Sequence, residues 1–355
     1  MDEKTATLPI AYVEGNGVAA RLKNLYNAFH IKRAALGLRN PGTVETIAKE
    51  VQRDVFLTNS MFTGLRADIT KVFSVNPVFH TSHGFSIGSQ GLPPYTFVST
   101  YGTDNVALHA TVDNEGQLSG RGNYRWTESF VTKTQAQIAS GPGQSMIQID
   151  NDYTGKDFSA SIKSINPSII DGGLTGIFVG SYLQSVSPGL ALGLEAMWQR
   201  AGMSTGPESV VSYVAKYRGS DWIVSAQVQA SGAIQTSYWR RLMDKVEVGA
   251  ELNLQLRPGM GGGLMGGRLQ KEGLATIGAK YDFRMASFKA QADSSGKLSV
   301  LVEKRVLQPL QITFAGELDQ LKQTAKIGFA VSLESSSEEI MQAQAEGQQG
   351  PIPPF

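Results

Sequence analysis

From about residue 65 to residue 334 the chain repeats every second residue. In 246–256, Val246, Val248, Ala250, Leu252, Leu254 and Leu256 share one face, while Glu247, Gly249, Glu251, Asn253 and Gln255 take the other. In 310–319, Leu310, Ile312, Phe314 and Leu318 oppose Gln311, Thr313, Glu317 and Asp319. In 325–333, Ala325, Ile327, Phe329, Val331 and Leu333 oppose Lys326, Gly328 and Ser332. Turn-forming clusters (NP, DNEG, GPG, GSD, SSG) separate such runs, so the pattern predicts many short antiparallel strands. The run GGLTGIFVGSYLQ has no clean alternation, and its glycines suggest curvature.

Before residue 63 the period is helical. Residues 19–36 place Leu22, Leu25, Tyr26 and Phe29 on one face, with Gly37 as a C-cap. After the break Asn40-Pro41-Gly42, Thr43 caps a second predicted helix with Val44, Ile47, Ala48, Val51 and Val55 on one stripe. Glu45, Lys49, Gln52 and Arg53 face away. Beyond residue 334, Ser336 and Glu339 have capping-box spacing, which predicts a short C-terminal helix before a Pro-containing tail. The expected organisation is 1–62, a helical segment; 63–334, strands; and 335–355, helix and tail.

A membrane strand takes about 9–11 residues. With its turn the unit is about 14, so about 270 residues hold roughly 19 strands. Composition agrees with a barrel wall: hydrophobic residues are 41% and charged residues only 18% of the 355, as expected when alternate positions face lipid and water. Exposed edges in an open sheet of this length would need protection, and no helices remain to cover the apolar face. Closure in lipid solves both problems.

The remaining composition mainly excludes. Lys plus Arg number 32 and Asp plus Glu 31, which argues against nucleic acid as a partner. Cysteine is absent and only four histidines occur, so neither thiolate chemistry nor a metal site is expected. No run reaches the length of a transmembrane helix. The acidic start MDEKTATLPI is neither a secretory signal nor a matrix-targeting peptide, which points to an organelle's outer membrane. The Gly-rich stretch 258–268 lacks the GK[ST] of a phosphate loop. No enzyme and no cofactor are expected.

Three segments carry a family resemblance: GLRNPGTVETIAKEVQRDVFLTNSMFTGLRADITKVFSVNP (37–77), INPSIIDGGLTGIFVGSYLQSVSPGLALGLE (165–195) and KYDFRMASFKAQADSSGKLSVLVEKR (280–305). They resemble the channel-forming subunit of the translocase of the outer mitochondrial membrane, in a fungal form, and the similarity runs from about residue 20 to 334. The resemblance implies an all-β transmembrane barrel of 19 strands, with the first and last parallel and the segment before the first strand inside the pore. On this chain that segment is the helix carrying Ile47, Val51 and Val55. It also implies a protein-conducting channel for mitochondrial precursor proteins. Its implied partners are a receptor subunit, small single-helix subunits, further copies of the pore, membrane lipid, and the sorting and assembly machinery. A voltage-dependent anion or metabolite porin shares the barrel and is the alternative; a soluble β-rich binding protein is the alternative of another class.

Within that frame the residues suggest roles. Lys326, Gly328, Val331 and Leu333 have the spacing of the mitochondrial β-signal, a strand edge read by main-chain pairing. Presequences are basic and amphipathic, so spaced acids along a lumen hold them weakly and release them. Alternation puts Asp68, Glu195, Glu247, Glu251, Asp282, Glu303, Glu317 and Asp319 on the polar face, with Asp113 and Glu115 in a turn at one mouth and Glu272 in a long loop 257–273. Arg121, Arg125, Lys133, Lys280 and Arg284 share that face. Lys71, His83 and Trp222 fall instead on the apolar face. A charge there costs about 2–4 kcal/mol at the bilayer midplane and little at its edges, so contact with a lipid headgroup or a partner subunit is expected.

Overall fold

The computed structural model describes Arg33 and residues 36–336, apart from 90, 140, 142–144, 170–172, 203–205, 231, 259–268 and 308. Nineteen strands follow the two-residue repeat. The first six are β1 (Gly64–Ser74), β2 (Val78–Ile87), β3 (Tyr95–Gly102), β4 (Val106–Asp113), β5 (Leu118–Thr127) and β6 (Phe130–Ile138). Next come β7 (Met146–Thr154), β8 (Phe158–Ser168), β9 (Thr175–Ser185), β10 (Leu190–Arg200), β11 (Glu208–Arg218) and β12 (Trp222–Gln229). The last seven are β13 (Ala233–Met243), β14 (Val246–Pro258), β15 (Leu269–Asp282), β16 (Ala286–Asp293), β17 (Lys297–Leu307), β18 (Leu310–Asp319) and β19 (Thr324–Ser335).

Each strand pairs antiparallel with the next, and β1 closes the ring by pairing parallel with β19, from Gly64 opposite Gly328 to Lys71 opposite Ser335. The odd count makes this junction parallel: β1 and β19 begin at the same mouth, here the first mouth, and end at the second. Turns at the second mouth are two to four residues long, whereas those at the first run from three to ten. No described helix is long and apolar enough to cross a membrane; the strands are the crossing elements.

The alternation sorts the wall. Leu65, Ile69 and Phe73 of β1, Phe314 and Leu318 of β18, and Ile327 and Leu333 of β19 are exposed on the outside. Their neighbours Asp68, Thr313, Ala315 and Ala330 turn inward. Lipid is the medium in which such a surface is stable.

The chain before β1 passes through the lumen. At the second mouth Asn40 donates from its Nδ2 to the carbonyls of Gly155 and Phe158, 2.8 Å each, and the Ser185 hydroxyl donates to Arg39 O at 2.7 Å. Val44, Ile47 and Ala48 then pack on Leu183, Ala191 and Val214 of β9–β11. Val51, Val55 and Phe56 pack beside Trp239 of β13. Leu57 packs on Leu301 and Ala315 of β17 and β18, with Met61 and Phe62 against the same cluster. The segment therefore sweeps across more than half the wall while it crosses to the first mouth. All five residues of the predicted stripe are buried.

The predicted second helix is otherwise corrected. Residues 45–48 form turns, and only Glu50–Val55 is helical, as a π-helix in which Phe56 N donates to Val51 O at 2.9 Å. The Thr43 hydroxyl meets that of Thr46 at 3.0 Å instead of capping an amide. The reason is tertiary. Val55, Phe56 and Leu57 are consecutive and all buried, which one stripe of a regular helix cannot achieve, so the wall contacts unwind it. A second correction concerns Glu272: β14 and β15 extend to Pro258 and from Leu269, so this residue lies on β15 opposite Gln255 and not in a loop. Arg284 sits in the turn after β15, not on a strand. The helix expected over 19–36 and the one expected after residue 335 lie outside the described residues, Arg33 and Leu36 apart.

The lumen contacts also explain why GGLTGIFVGSYLQ lacks alternation. It forms β9, whose Leu183 is fully buried under the inner segment while Tyr182 is exposed outside. Both faces are apolar because each meets an apolar partner.

Candidate functional site

The inner surface is where strands and segment place their polar groups, and it is held by ion pairs at defined positions. Glu45 of the segment lies 2.9 Å from Lys163 Nζ of β8. Glu50 meets buried Lys216 at 3.1 Å and Arg218 at 3.6 Å, both on β11. On the wall, Lys133 pairs with Asp152 at 2.8 Å and Arg66 with Asp68 at 2.8 Å. At the second mouth Arg33 grips Asp157 with two nitrogens, and donates to Gln184 Oε1 at 2.8 Å. That guanidinium holds the Asp157 carboxyl below the usual carboxylate range.

The predicted acids separate into four groups. Asp68, Glu247, Asp282 and Glu317 face the lumen but are neutralised in place, by Arg66, by Arg241 at 3.5 Å, by Lys280 at 2.7 Å and by Lys326 at 4.0 Å. Asp113 and Asp319 shape turns: Asp113 Oδ1 accepts from the amides of Glu115 and Gln117, and Asp319 Oδ1 from that of Lys322, each at 2.9 Å. Glu115 and Glu272 are exposed.

Glu195, Glu251 and Glu303 form the last group. Their hydrogen-bond partners are neutral. Glu195 accepts from Gln227 at 3.1 Å, and Glu303 from the Ser287 hydroxyl at 3.1 Å. Glu251, nearly buried, accepts from Gln52 at 3.0 Å, Gln235 at 3.1 Å and Asn253 at 2.7 Å. Among the described residues none of the three is ion-paired. Glu195 lines one recess with Val44, Glu45, Gln52, Gln227 and Gln235, and Glu251 borders it through Gln52 and Gln235. Amide donors satisfy a carboxylate's oxygens without adding a positive charge beside it, so this patch has no cation of its own.

Sequence reasoning missed several lumen groups. Asp150 and Asp152 follow the same alternation in MIQIDNDYT, which would have found them. Leu183, Val214 and Leu301 interrupt the polar face with apolar side chains, and Gly249 and Gly278 leave room on it for Val55 and Phe56. An apolar residue or a glycine on the wet side of a strand signals that something packs there.

On the outer face Lys71 is exposed on β1. His83 bonds the Tyr95 hydroxyl through Nδ1 at 2.8 Å and lies beside Phe97, so its polar atom has an internal partner. Trp222 stacks with Tyr217, ring centroids 5.0 Å apart. In the last strand Lys326 and Gly328 face inward, and Val331 and Leu333 outward.

A closed ring of nineteen strands with a parallel junction fits one group of channels, and comparison decides it. A family model described as eukaryotic porin matches residues 40–328. The chain is 51% identical over 348 residues to "Mitochondrial import receptor subunit tom40" of Neurospora crassa, covering 98% of each. It is 41% identical to the Saccharomyces cerevisiae protein of that name, covering 94% of this chain and 88% of that one. The chain belongs to the Tom40 family of eukaryotic porins. The frog relative from Xenopus laevis retains 27% identity over 83% of this chain. Members of this family are channels, and this Tom40-family barrel is a multi-pass protein of the mitochondrial outer membrane. The strong fungal matches agree with the fungal character of the sequence.

Proposed function

We propose that precursor polypeptides entering mitochondria pass through this lumen along the Glu195–Glu251–Glu303 wall. The chain is a Tom40-family channel, and the anion or metabolite porin is the less favoured reading. The observation that carries the route is the set of partners these three acids have. They are held by amides and a hydroxyl, whereas Asp68, Glu247, Asp282 and Glu317 already have cations beside them. A basic amphipathic segment therefore finds carboxylates that bind it without first losing an internal partner. Separation of the three sites lets the segment leave one for the next. The inner segment narrows the pore and supplies Gln52 to the patch.

The organisation into an inner segment (1–62), a barrel (63–334) and a C-terminal part (335–355) belongs to the same proposal. So does assembly with receptor and single-helix subunits, with a second pore and with lipid, for which Lys71 and the Trp222 aromatic rim offer a cation and a flat surface outside. The strand from Lys326 to Leu333 is proposed as the signal for insertion.

The chain has no cysteine, which makes the test direct. Glu251→Cys and Glu303→Cys should crosslink to an arrested presequence precursor, and Val248→Cys and Val302→Cys on the outer face should not. Equal labelling of both sets, or of neither, would overturn the route.

A further inference from the structure

Among the described residues, the packing and ion pairs of the inner segment run along β8–β19. Toward β2–β6 it presents only the charge of Glu45, which Arg121 and Lys133 feel through space. On those five strands the lumen side carries His80, His109, Arg121, Arg125 and Lys133. Successive registers place His80 opposite Thr100, Thr100 opposite His109, His109 opposite Arg121, and Arg121 opposite Gln135. Strands lie about 4.8 Å apart, so His80, His109 and Arg121 form one row roughly 14 Å long across the wall.

Acids are nearly missing from this region. Between residues 78 and 138 they are Asp104, Asp113, Glu115 and Glu128. Three of these lie in turns, and Asp113 ends its strand with its carboxylate committed to the turn amides. Lys133 is answered by Asp152 of the neighbouring strand, and Arg125 donates to the carbonyl of Asp104 at 3.1 Å. Thr100 and Thr111 hydroxyls hold the two ring nitrogens of His109, at 3.1 and 3.4 Å. Arg121 makes no close salt bridge among the described residues and meets the Glu45 carboxylate of the inner segment only through space.

This row stands across the pore from Glu251: β5 and β14 are nine strands apart in a ring of 19, while Glu195 on β10 lies five strands from β5 and Glu303 on β17 four from β2. An unfolded passenger carries acidic as well as basic stretches, and a lumen offering only free carboxylates would repel the acidic ones. A guanidinium flanked by imidazoles and hydroxyls takes a carboxylate in a fork of hydrogen bonds.

We propose that the His80–His109–Arg121 row is a second track, which holds acidic stretches of the passenger while its basic stretches sit on Glu195, Glu251 and Glu303. The proposal rests on the polypeptide-conducting reading, and its test keeps the two apart.

The full-length pore is reconstituted in a planar bilayer and challenged from one side with a Glu/Ser-rich peptide and, separately, with a basic amphipathic peptide. Unsubstituted pores should show blocking events with both. In the triple variant Arg121→Gln, His80→Gln, His109→Gln, residence of the acidic peptide should fall about tenfold, the loss of one charge-assisted contact. Residence of the basic peptide should not change. Restoring a cation by Arg121→Lys on the two-histidine background should recover most of the acidic residence. No block by the acidic peptide in the unsubstituted pore would overturn the track. So would unchanged acidic residence in the triple variant, or an equal loss for both peptides. Failure of the basic peptide alone to enter counts against the route proposed for precursors and leaves the row standing.

Discussion

Gly328 is the position where inner segment, first strand and last strand meet, and adding one methyl group there tests how they are joined. Gly328 stands opposite Gly64 in the parallel junction, and Phe62 lies across its lumen side. A Cβ at 328 would fall 2.4 Å from the Phe62 carbonyl oxygen and 2.9 Å from two of its ring carbons. The ring can swing away; the carbonyl cannot, because two residues later the chain turns through Gly64, at φ +80°, into the wall. Gly328→Ala must therefore displace backbone at the point of closure, and overpacking of this kind costs about 1–3 kcal/mol. Gly316→Ala on the adjacent strand is the control: it faces outward, and nothing lies within 4 Å of an added Cβ. Denaturant unfolding of the refolded barrel in detergent, followed by tryptophan fluorescence, reads the difference without any assembly factor, and so separates packing from signal recognition. Gly328→Ala should lower the midpoint at unchanged slope, while Gly316→Ala should be within about 0.5 kcal/mol of the parent, as surface changes are. Equal midpoints for the two would refute the claim that Phe62 seals this junction.

Three further outcomes follow from the inner segment. Leu57 is fully buried between Leu301 and Ala315; Leu57→Ala should weaken docking by about 2–5 kcal/mol, seen as protease access to residues 44–62 and higher open conductance. Glu50→Gln leaves Lys216 buried without its carboxylate, so docking should weaken by about 2–3 kcal/mol, below the full cost of a dry ion pair because the lumen is wet. Adding Lys216→Met should restore much of it, and no recovery in the double variant would argue against the pair. The Asp157 carboxyl is held low by Arg33, so its contribution is present above the unfolded value of about 3.9 and disappears as pH falls through the lower folded value. As pH falls below about 4, tethering at the second mouth should loosen in the parent, read by pepsin cleavage within residues 36–45, which leaves Arg33 and Gln184 in place, and Asp157→Asn should be cleaved readily at every pH tested.

Much of the site was legible because a strand has a fixed period. Once Glu251 follows Ala250 in an alternating run, its side is determined, and the same rule assigned Lys71 and Trp222 to the outside. Which acid retains an unbalanced charge was not legible. Glu247 and Glu251 are four residues apart on one face of the same strand, yet one meets Arg241 and the other meets Gln52, Gln235 and Asn253. Asn253 lies on the same strand, but Arg241 and Gln235 come from the neighbouring strand and Gln52 from a segment 199 residues away in the chain.

The amino-acid order by itself determined where the wall lies, which side of each strand meets lipid, and, through chain length, a strand number near nineteen. These are local properties, because side chains alternate by covalent geometry whatever surrounds them. Only the closed structure decided that the segment before β1 gives up its helix for a π-turn, that Leu183, Val214 and Leu301 belong on the wet side, and that Glu251 and Arg121 stand on opposite sides of the ring. Each depends on which distant strand comes to stand opposite, and that is set by closure of the ring.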